Sequence, residues 1–338
     1  MLVSAIADVA RAAGVSKSTA SRALSGSGYV SDRTRARVVE AARQMGFVVS
    51  SNAASLVTGR TRNVAVIIPF LNRWFFAEVL DGIESALIEA GYDMTLYRLR
   101  EGSEQRRRLI EYFLVRKRVD AVVAVNIALT ADEVEFLSTL AKPVVGIGGT
   151  IDGIPTLSID DAEAARIATE HVIGLGHRRI MHFGGDPGER MDFRVHAHRL
   201  AGFRSALEAA GLDGGDDFRA TEFTIEGGYR RALSVLADPR SRPTAVVAGC
   251  DEIAIGTIIA ARELGIQVPS GLSVVGIDDH DLSEMFGLTT IRQVPSEQGT
   301  LAVELLMRAL DGEAPERGAR RLPVAMTVRR STTAPPSK

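Results

Sequence analysis

The chain has one cysteine and one tryptophan in 338 residues, and aromatic residues make up only 5% of it. The single thiol, Cys250, excludes an internal disulfide and fits a reducing compartment. No stretch offers roughly 18 uninterrupted apolar residues, which excludes a membrane-spanning helix, so no membrane partner is expected. The start, Met1-Leu2-Val3-Ser4, has no basic segment leading into an apolar run, and a cytoplasmic location is expected. Enzyme signatures are missing as well. There is no G-x-G-x-x-G after a strand, no G-x-x-x-x-G-K-[ST], no G-x-S-x-G and no H-E-x-x-H. No catalytic residue, cofactor or metal is therefore expected.

Net charge is also scarce, at −2, but its distribution is uneven. Residues 1–62 carry nine Lys/Arg against three Asp/Glu, and the remainder carries 31 against 39. A basic head on an acidic body points to a polyanionic partner for the head alone. The head has only Tyr29 and Phe47 as aromatics, a poor basis for stacking on single-stranded bases. Its first segments, Ile6–Ala13 and Ser16–Leu24, read as two short helices joined at Gly14. Ala10 and Gly14 let the helices cross closely, and Val9, Val15, Ala20 and Leu24 supply buried contacts.

This pattern is a helix-turn-helix, and its partner is double-stranded DNA. Ser16 is placed to cap the second helix and to face a phosphate. Lys17 and Ser18 project from the first turn, where base edges are read in the major groove. Arg22 follows on the same face with the reach to a guanine. Thr19, Ser21, Ser31 and Thr34 are candidate phosphate donors, which fix position rather than sequence. A third helix starts at its cap Ser31 and stops at Gly46. A helical hairpin with a merely solvated face is the plainer alternative. Residues 48–61 form a polar linker rich in small residues.

From Asn63 onward, short apolar runs alternate with amphipathic helices. Strands are expected at Val64–Pro69, Met94–Leu99, Val119–Val125, Val144–Ile147, Thr156–Ile159, Arg179–Phe183, Ala220–Thr224, Ala245–Ala248 and Ser273–Ile277, with helices between them. This alternation predicts an α/β core of doubly wound parallel sheets. Its length exceeds one such sheet, so two lobes are expected, with a ligand cleft at the carboxyl ends of the strands. Trp74 and Phe75 follow the first core strand, where a cleft wall is expected, and an aromatic face suits the apolar side of a sugar ring. The alternative is that Phe75 and Phe76 simply begin a buried helix. His177 reads as structural. Asp278-Asp279-His280-Asp281 is a poor metal site, because neighbours on one loop rarely converge on one ion.

Ala7–Leu24, the helix after Ser31 and Leu56-Val57-Thr58-Gly59-Arg60-Thr61 resemble the head and hinge of the lac/gal repressor family. The resemblance continues through Gly176-His177-Arg178-Arg179-Ile180, Arg199-Leu200-Ala201-Gly202-Phe203, Val275-Gly276-Ile277-Asp278-Asp279 and Leu288-Thr289-Thr290-Ile291, covering nearly the whole chain. It implies a helix-turn-helix domain over residues 1–47 and a hinge over 48–61. It further implies a two-lobed, type I periplasmic-binding-protein-like core, with one lobe from 62–175 and 292–321 and the other from 176–291 and 322–338. A hinge helix near Ser50–Thr58 and a DNA-wedging role for Leu56 are implied, as are cleft residues Asp161, Arg199, Asp251, Asp278 and Gln293. For Asp251 a helix-capping role is the favoured alternative. The chain departs from the family's usual residues at Ala5, Val49, Ser50, Trp74, Cys250 and Asp161. The function so implied is a ligand-responsive transcriptional regulator, most readily a repressor on a pseudo-palindromic operator, with a sugar as effector. The end Thr332–Lys338 has no leucine heptads, so a homodimer is expected. A sugar-binding module, or a sugar-modifying enzyme with a fused DNA head, is the competing reading.

Overall fold

The computed structural model describes residues 6–25, 28–47, 60–99, 104–108, 119–127, 129–139, 142–188, 194–212, 217–314 and 318–336. They form two compact units, the first ending at Asn63 (and taking in residues 117–120), the second beginning at Val64. The expected hinge helix and Leu56 lie outside the described residues.

In the first unit, α1 (Ile6–Ala12), α2 (Lys17–Ser25) and α3 (Asp32–Gln44) pack around a core of small side chains. Val9, Ala20 and Val38 are fully buried there, with Ala10, Ala13, Ala23, Ala41 and Ala42 around them. Gly14 ends α1 at φ +63°, a left-handed turn that a β-carbon would strain. Each following helix starts on a serine. Ser16 Oγ accepts from the Thr19 amide at 3.1 Å, and Ser31 Oγ accepts from the Thr34 amide at 3.4 Å. Arg35 donates to the Ala23 carbonyl at 3.0 Å and so ties α3 to the end of α2. Where the linker ends, the Asp120 carboxylate accepts from the amides of Thr61 and Arg62, both at 2.8 Å.

The second unit contains two six-stranded sheets. The first lobe supplies β1 (Asn63–Ile68), α4 (Trp74–Glu89), β2 (Asp93–Arg98), α5 (Glu104–Arg108), β3 (Ala121–Val125), α6 (Ala131–Thr139), β4 (Val144–Ile147) and β5 (Thr156–Ser158). The second supplies α7 (Asp161–Gly174), β6 (Ile180–Gly184), α8 (Val195–Ala209), β7 (Phe218–Ala220), α9 (Ile225–Leu236), β8 (Ala245–Ala248), α10 (Asp251–Glu263), β9 (Ser273–Asp278), α11 (Ser283–Phe286) and β10 (Thr289–Arg292). The chain then returns to the first lobe for α12 (Pro295–Leu310) and β11 (Ala319–Arg321), and ends in the second with β12 (Ala325–Thr327). The sheet orders are β11-β5-β4-β3-β1-β2 and β12-β10-β9-β8-β6-β7, and β12 runs antiparallel to β10.

Burial on both faces explains the unbroken apolar strands. In β8, Val246 and Ala248 join the core under α9 and α10, while Ala245 and Val247 join the core under α7 and α8. Helix pairs close over the sheets at glycines. A β-carbon on Gly202 would stand 1.9 Å from the Ala162 carbonyl oxygen, so α7 and α8 cross there backbone to backbone.

Two expectations need correction. A first lobe running to residue 175 would include α7, but Ala164, Ala165, Ala168 and Val172 pack with Ile180, Leu200 and Phe203 of the second lobe. The boundary therefore falls at Ile159–Asp160. The strand expected at Ala220–Thr224 is instead Phe218–Ala220, because Thr224 Oγ1 caps α9 by accepting from the Gly227 amide at 2.9 Å.

Candidate functional site

On the head, Ser16, Lys17, Ser18, Arg22 and Ser31 are exposed, and Thr19, Ser21 and Thr34 are half-buried. The Ser16 hydroxyl lies 2.9 Å from that of Ser18 and 2.8 Å from that of Thr19. The opening of α2 is therefore a cluster of hydroxyls beside Lys17. Helix N-termini present backbone N–H groups and a partial positive charge, which suits phosphate oxygens. Arg22 lies back over the turn at Gly28, whose β-carbon would meet Arg22 Cδ at 3.4 Å. Tyr29, 94% exposed beside Ser31, was not marked by the sequence as a contact residue. Its exposure next to a hydroxyl cap is a signal available only from the fold.

In the core, a cavity is lined by residues that follow strand ends in both sheets. Phe70, Phe75, Phe76, Asn126 and Gly148 come from the first lobe. Asp161, Arg199, Phe223, Cys250, Glu252, Asp278 and Gln293 come from the second or its border.

The cavity's polar network is built on Arg199, which is 5% exposed. Its Nε donates to Asp161 Oδ1 at 2.9 Å, one terminal nitrogen donates to the Gly249 carbonyl, and Asp278 Oδ1 stands 3.9 Å away. Gln293 Nε2 donates to Asp278 Oδ1 at 2.7 Å, and Gln298 Nε2 donates to Gln293 Oε1 at 2.9 Å. The cavity thus brings together Phe75, Asp161, Arg199, Asp278 and Gln293 from the expected set. It offers acceptors, a rigid cation and an apolar wall, the equipment for holding a hydroxylated ring.

Trp74 and Asp251 are not part of that lining. Trp74 opens α4 and stacks on His280 of the second lobe, with ring centroids 4.9 Å apart. Its Nε1 is buried without a hydrogen-bond partner among the described residues. Asp251 is fully committed elsewhere. Its Oδ1 accepts from Thr290 Oγ1 at 2.7 Å, and its Oδ2 accepts from Ser283 Oγ at 2.6 Å and the His280 amide at 2.9 Å. The N-cap of α10 is Cys250, so Asp251 is not the cap either. It pins the loop after β9 to β10. Asp160 does cap its helix, accepting from the Glu163 amide at 3.1 Å. His177 is buried among Thr244, Ser273 and the Thr333 carbonyl. No group of three or more His, Cys, Asp or Glu among the described residues is disposed to hold a metal ion.

The sequence reading missed Asn126, Glu252 and Phe223. Asn126 sits in the left-handed region at φ 47°, and its Oδ1 is buried with no hydrogen-bond partner among the described residues. A β-carbon on Gly148 would stand 1.5 Å from that oxygen, so only glycine leaves room for it. Asp278 is also held at positive φ, 132°. Such strain is kept where the surrounding structure over-determines a residue, often at a binding site. The rule that ligands sit at strand carboxyl ends would have flagged Asn126 and Glu252 directly after their strands.

Burial pushes the Asp278 carboxyl up to about 8, against the pull of Arg199, and pushes Glu252 up to about 7, against Arg73. A carboxyl with a raised pKa keeps a proton in the folded chain that the unfolded chain has lost. Its contribution to stability is full below the ordinary value of 3.8 and is lost as pH rises through about 8. The melting temperature of the ligand-free protein is expected to fall between about pH 4 and about pH 8, and Asp278→Asn should flatten that slope. Melts in matched buffers check it; an unchanged slope in the variant would assign the effect to another group.

The description "Bacterial regulatory proteins, lacI family" matches residues 5–50, and "Periplasmic binding protein-like domain" matches residues 169–332. Catabolite control protein A of Priestia megaterium is 31% identical over 333 residues, covering 97% of this chain and 98% of that protein. The ribose operon repressor of Escherichia coli (strain K12) is 32% identical over 309 residues, covering 90% and 92%. Among solved structures, a complex of the transcriptional regulator CelR with cellobiose matches with a TM-score of 0.71 at 28% identity, covering 97% of this chain and 99% of that one.

Proposed function

This chain belongs to the lacI family of bacterial regulatory proteins, and from that premise we propose that it is a homodimeric repressor whose grip on a pseudo-palindromic operator is set by a sugar in the inter-lobe cavity. It is a ligand-responsive, DNA-binding transcriptional regulator, not an enzyme. No helix among the described residues is long and apolar enough to cross a membrane.

The carrying observation is one chain with two complementary surfaces. A serine-capped, basic helix-turn-helix stands in the first unit, and a polar cavity lined from both sheets stands in the second. A sugar as effector is supported by the Arg199–Asp161–Asp278–Gln293 network beside Phe75, and by relatives named for ribose control and for a cellobiose complex. Two heads of a dimer would meet two half-sites related by the same two-fold axis. The ligand shifts DNA affinity only through its preference for one lobe arrangement over another. In this reading Lys17, Ser18 and Arg22 read bases; Ser16, Thr19, Ser21, Ser31 and Thr34 hold phosphates; and segment 48–61 couples the two units.

The test is footprinting on fragments of the source genome with a panel of mono- and disaccharides. A protected pseudo-palindrome whose protection changes with one sugar is the expected result. Protection of no fragment, with any sugar, would defeat the proposal. In the same assay Leu56→Ala is expected to weaken operator binding at least tenfold, as loss of an apolar wedge between base steps requires, while sugar binding persists. Unchanged footprinting affinity would remove Leu56 from the DNA interface.

A further inference from the structure

The cavity at Arg199 adjoins a second pocket that is more open to solvent, and the two share Arg73, His196 and Phe223 as a common wall. The Phe223 and His196 rings stand 4.3 Å apart at 50° and form the partition between them. Beyond it the wall is charged: Arg73, Arg230 and Arg231 against Asp186 and Glu222. Two of these groups are already engaged. Arg230 pairs with Glu226, and Asp186 Oδ1 accepts from the Gly188 amide at 2.8 Å. Arg231 is different. It has no ion-pair partner among the described residues, and its Nε is buried with no acceptor. Arg231 is half-buried, and its one buried N–H without an acceptor carries a cost that an incoming acceptor would relieve.

We propose that the effector carries an anionic group, a carboxylate or a phosphate ester, which Arg231 holds in the second cavity while the hydroxylated ring lies in the first. Arg73 lines both cavities, so a ligand crossing the partition passes a second guanidinium. The planar guanidinium fork matches both anions with paired donors, and such charge-assisted bonds are about twice as strong as neutral ones. This inference rests on the reading of the inter-lobe cavity as the effector site, and it narrows the ligand class from sugars to acidic sugars.

The experiment is calorimetric titration of the full chain with matched sets of common hexoses, each as the free sugar, its 6-phosphate and its uronate, with cellobiose and inorganic phosphate as further probes. At least one acidic sugar is expected to bind about tenfold or more tightly than its neutral counterpart. Arg231→Gln should erase that ratio, while Arg231→Lys, which keeps the charge, should retain part of it. The phosphate and uronate arms separate the two anions. Ligand-free melts of both variants, compared with the parent, establish that they fold. A neutral sugar that binds as well as its acidic forms, or a ratio that survives Arg231→Gln, overturns the proposal and leaves the sugar-effector reading standing. If no probe binds, both fall.

Discussion

Arg199→Ala is expected to abolish the effector response while the protein still occupies its operator without effector. The guanidinium of Arg199, a residue only 5% exposed, holds Asp161, the Gly249 carbonyl and the flank of Asp278. Truncation removes the cavity's central donor and leaves two buried carboxyl groups without a counter-charge. Breaking one side of a buried pair typically costs about 3–5 kcal/mol. The lost charged donor to the effector, worth about 1.5–3 kcal/mol, corresponds to a fall in effector affinity of at least about tenfold. Thermal melts check the first effect and effector titration in a gel shift checks the second. Arg199→Lys supplies charge without the planar fork and should recover only part of the response. A response retained by Arg199→Ala at the parent's effector concentration would place the ligand elsewhere.

The second large effect is on salt. Operator affinity is expected to fall on the order of a thousandfold or more between about 50 and about 200 mM monovalent salt, the range typical of roughly six to ten phosphate contacts. Lys17, Arg22, Arg33 and Arg37 are exposed on the head, and two heads of a dimer double that set. Each phosphate neutralised releases condensed counterions, so the slope of log affinity against log salt counts the contacts. Lys17→Ala should reduce the slope by about two in a dimer if Lys17 meets a phosphate in each half-site, and should change base preference if it reads a base edge. A flat titration would argue that the head does not neutralise the DNA backbone.

The elements most legible in the sequence were those with the plainest physics. Val144–Ile147 and Ala245–Ala248 are strands with the bounds their apolar runs imply, since a strand buried on both faces has no polar register to blur its ends. Ser16 and Ser31 were readable as caps because their chemistry is local. Strands β10, β11 and β12 left no comparable mark. Strand β11 is Ala319-Arg320-Arg321, wholly exposed at a sheet edge, so nothing apolar announces it. Helix α7 was assigned to the wrong lobe because an amphipathic helix shows which face is buried but not against which sheet. The site followed the same division. Arg199 and Asp278 stand in motifs that resemblance could carry over. Trp74 is drawn toward the cleft by its position after a strand and Asp251 by the family resemblance, yet tertiary contacts with His280, and with Thr290 and Ser283, claim them.

The segment after β12 ties the second lobe together late in synthesis. Ser331 closes the second sheet: its carbonyl accepts from the Val274 amide at 2.8 Å, and its Oγ accepts from the Thr289 amide at 2.8 Å. Thr333 adds its carbonyl to His177 at 2.9 Å. These bonds span the core from its final residues back to strands laid down long before. On the ribosome the three-helix head has its whole core in residues 6–47, so it can fold while synthesis continues. The second lobe must wait with β10 as an open sheet edge until Ala325–Thr327 emerge, and with the Ser331 and Thr333 bonds unmade until those residues follow. Removing the chain from Ala325 onward, which takes away edge strand β12 together with these bonds, should therefore give a normal head on a core that aggregates through that edge, rather than a shortened but working regulator.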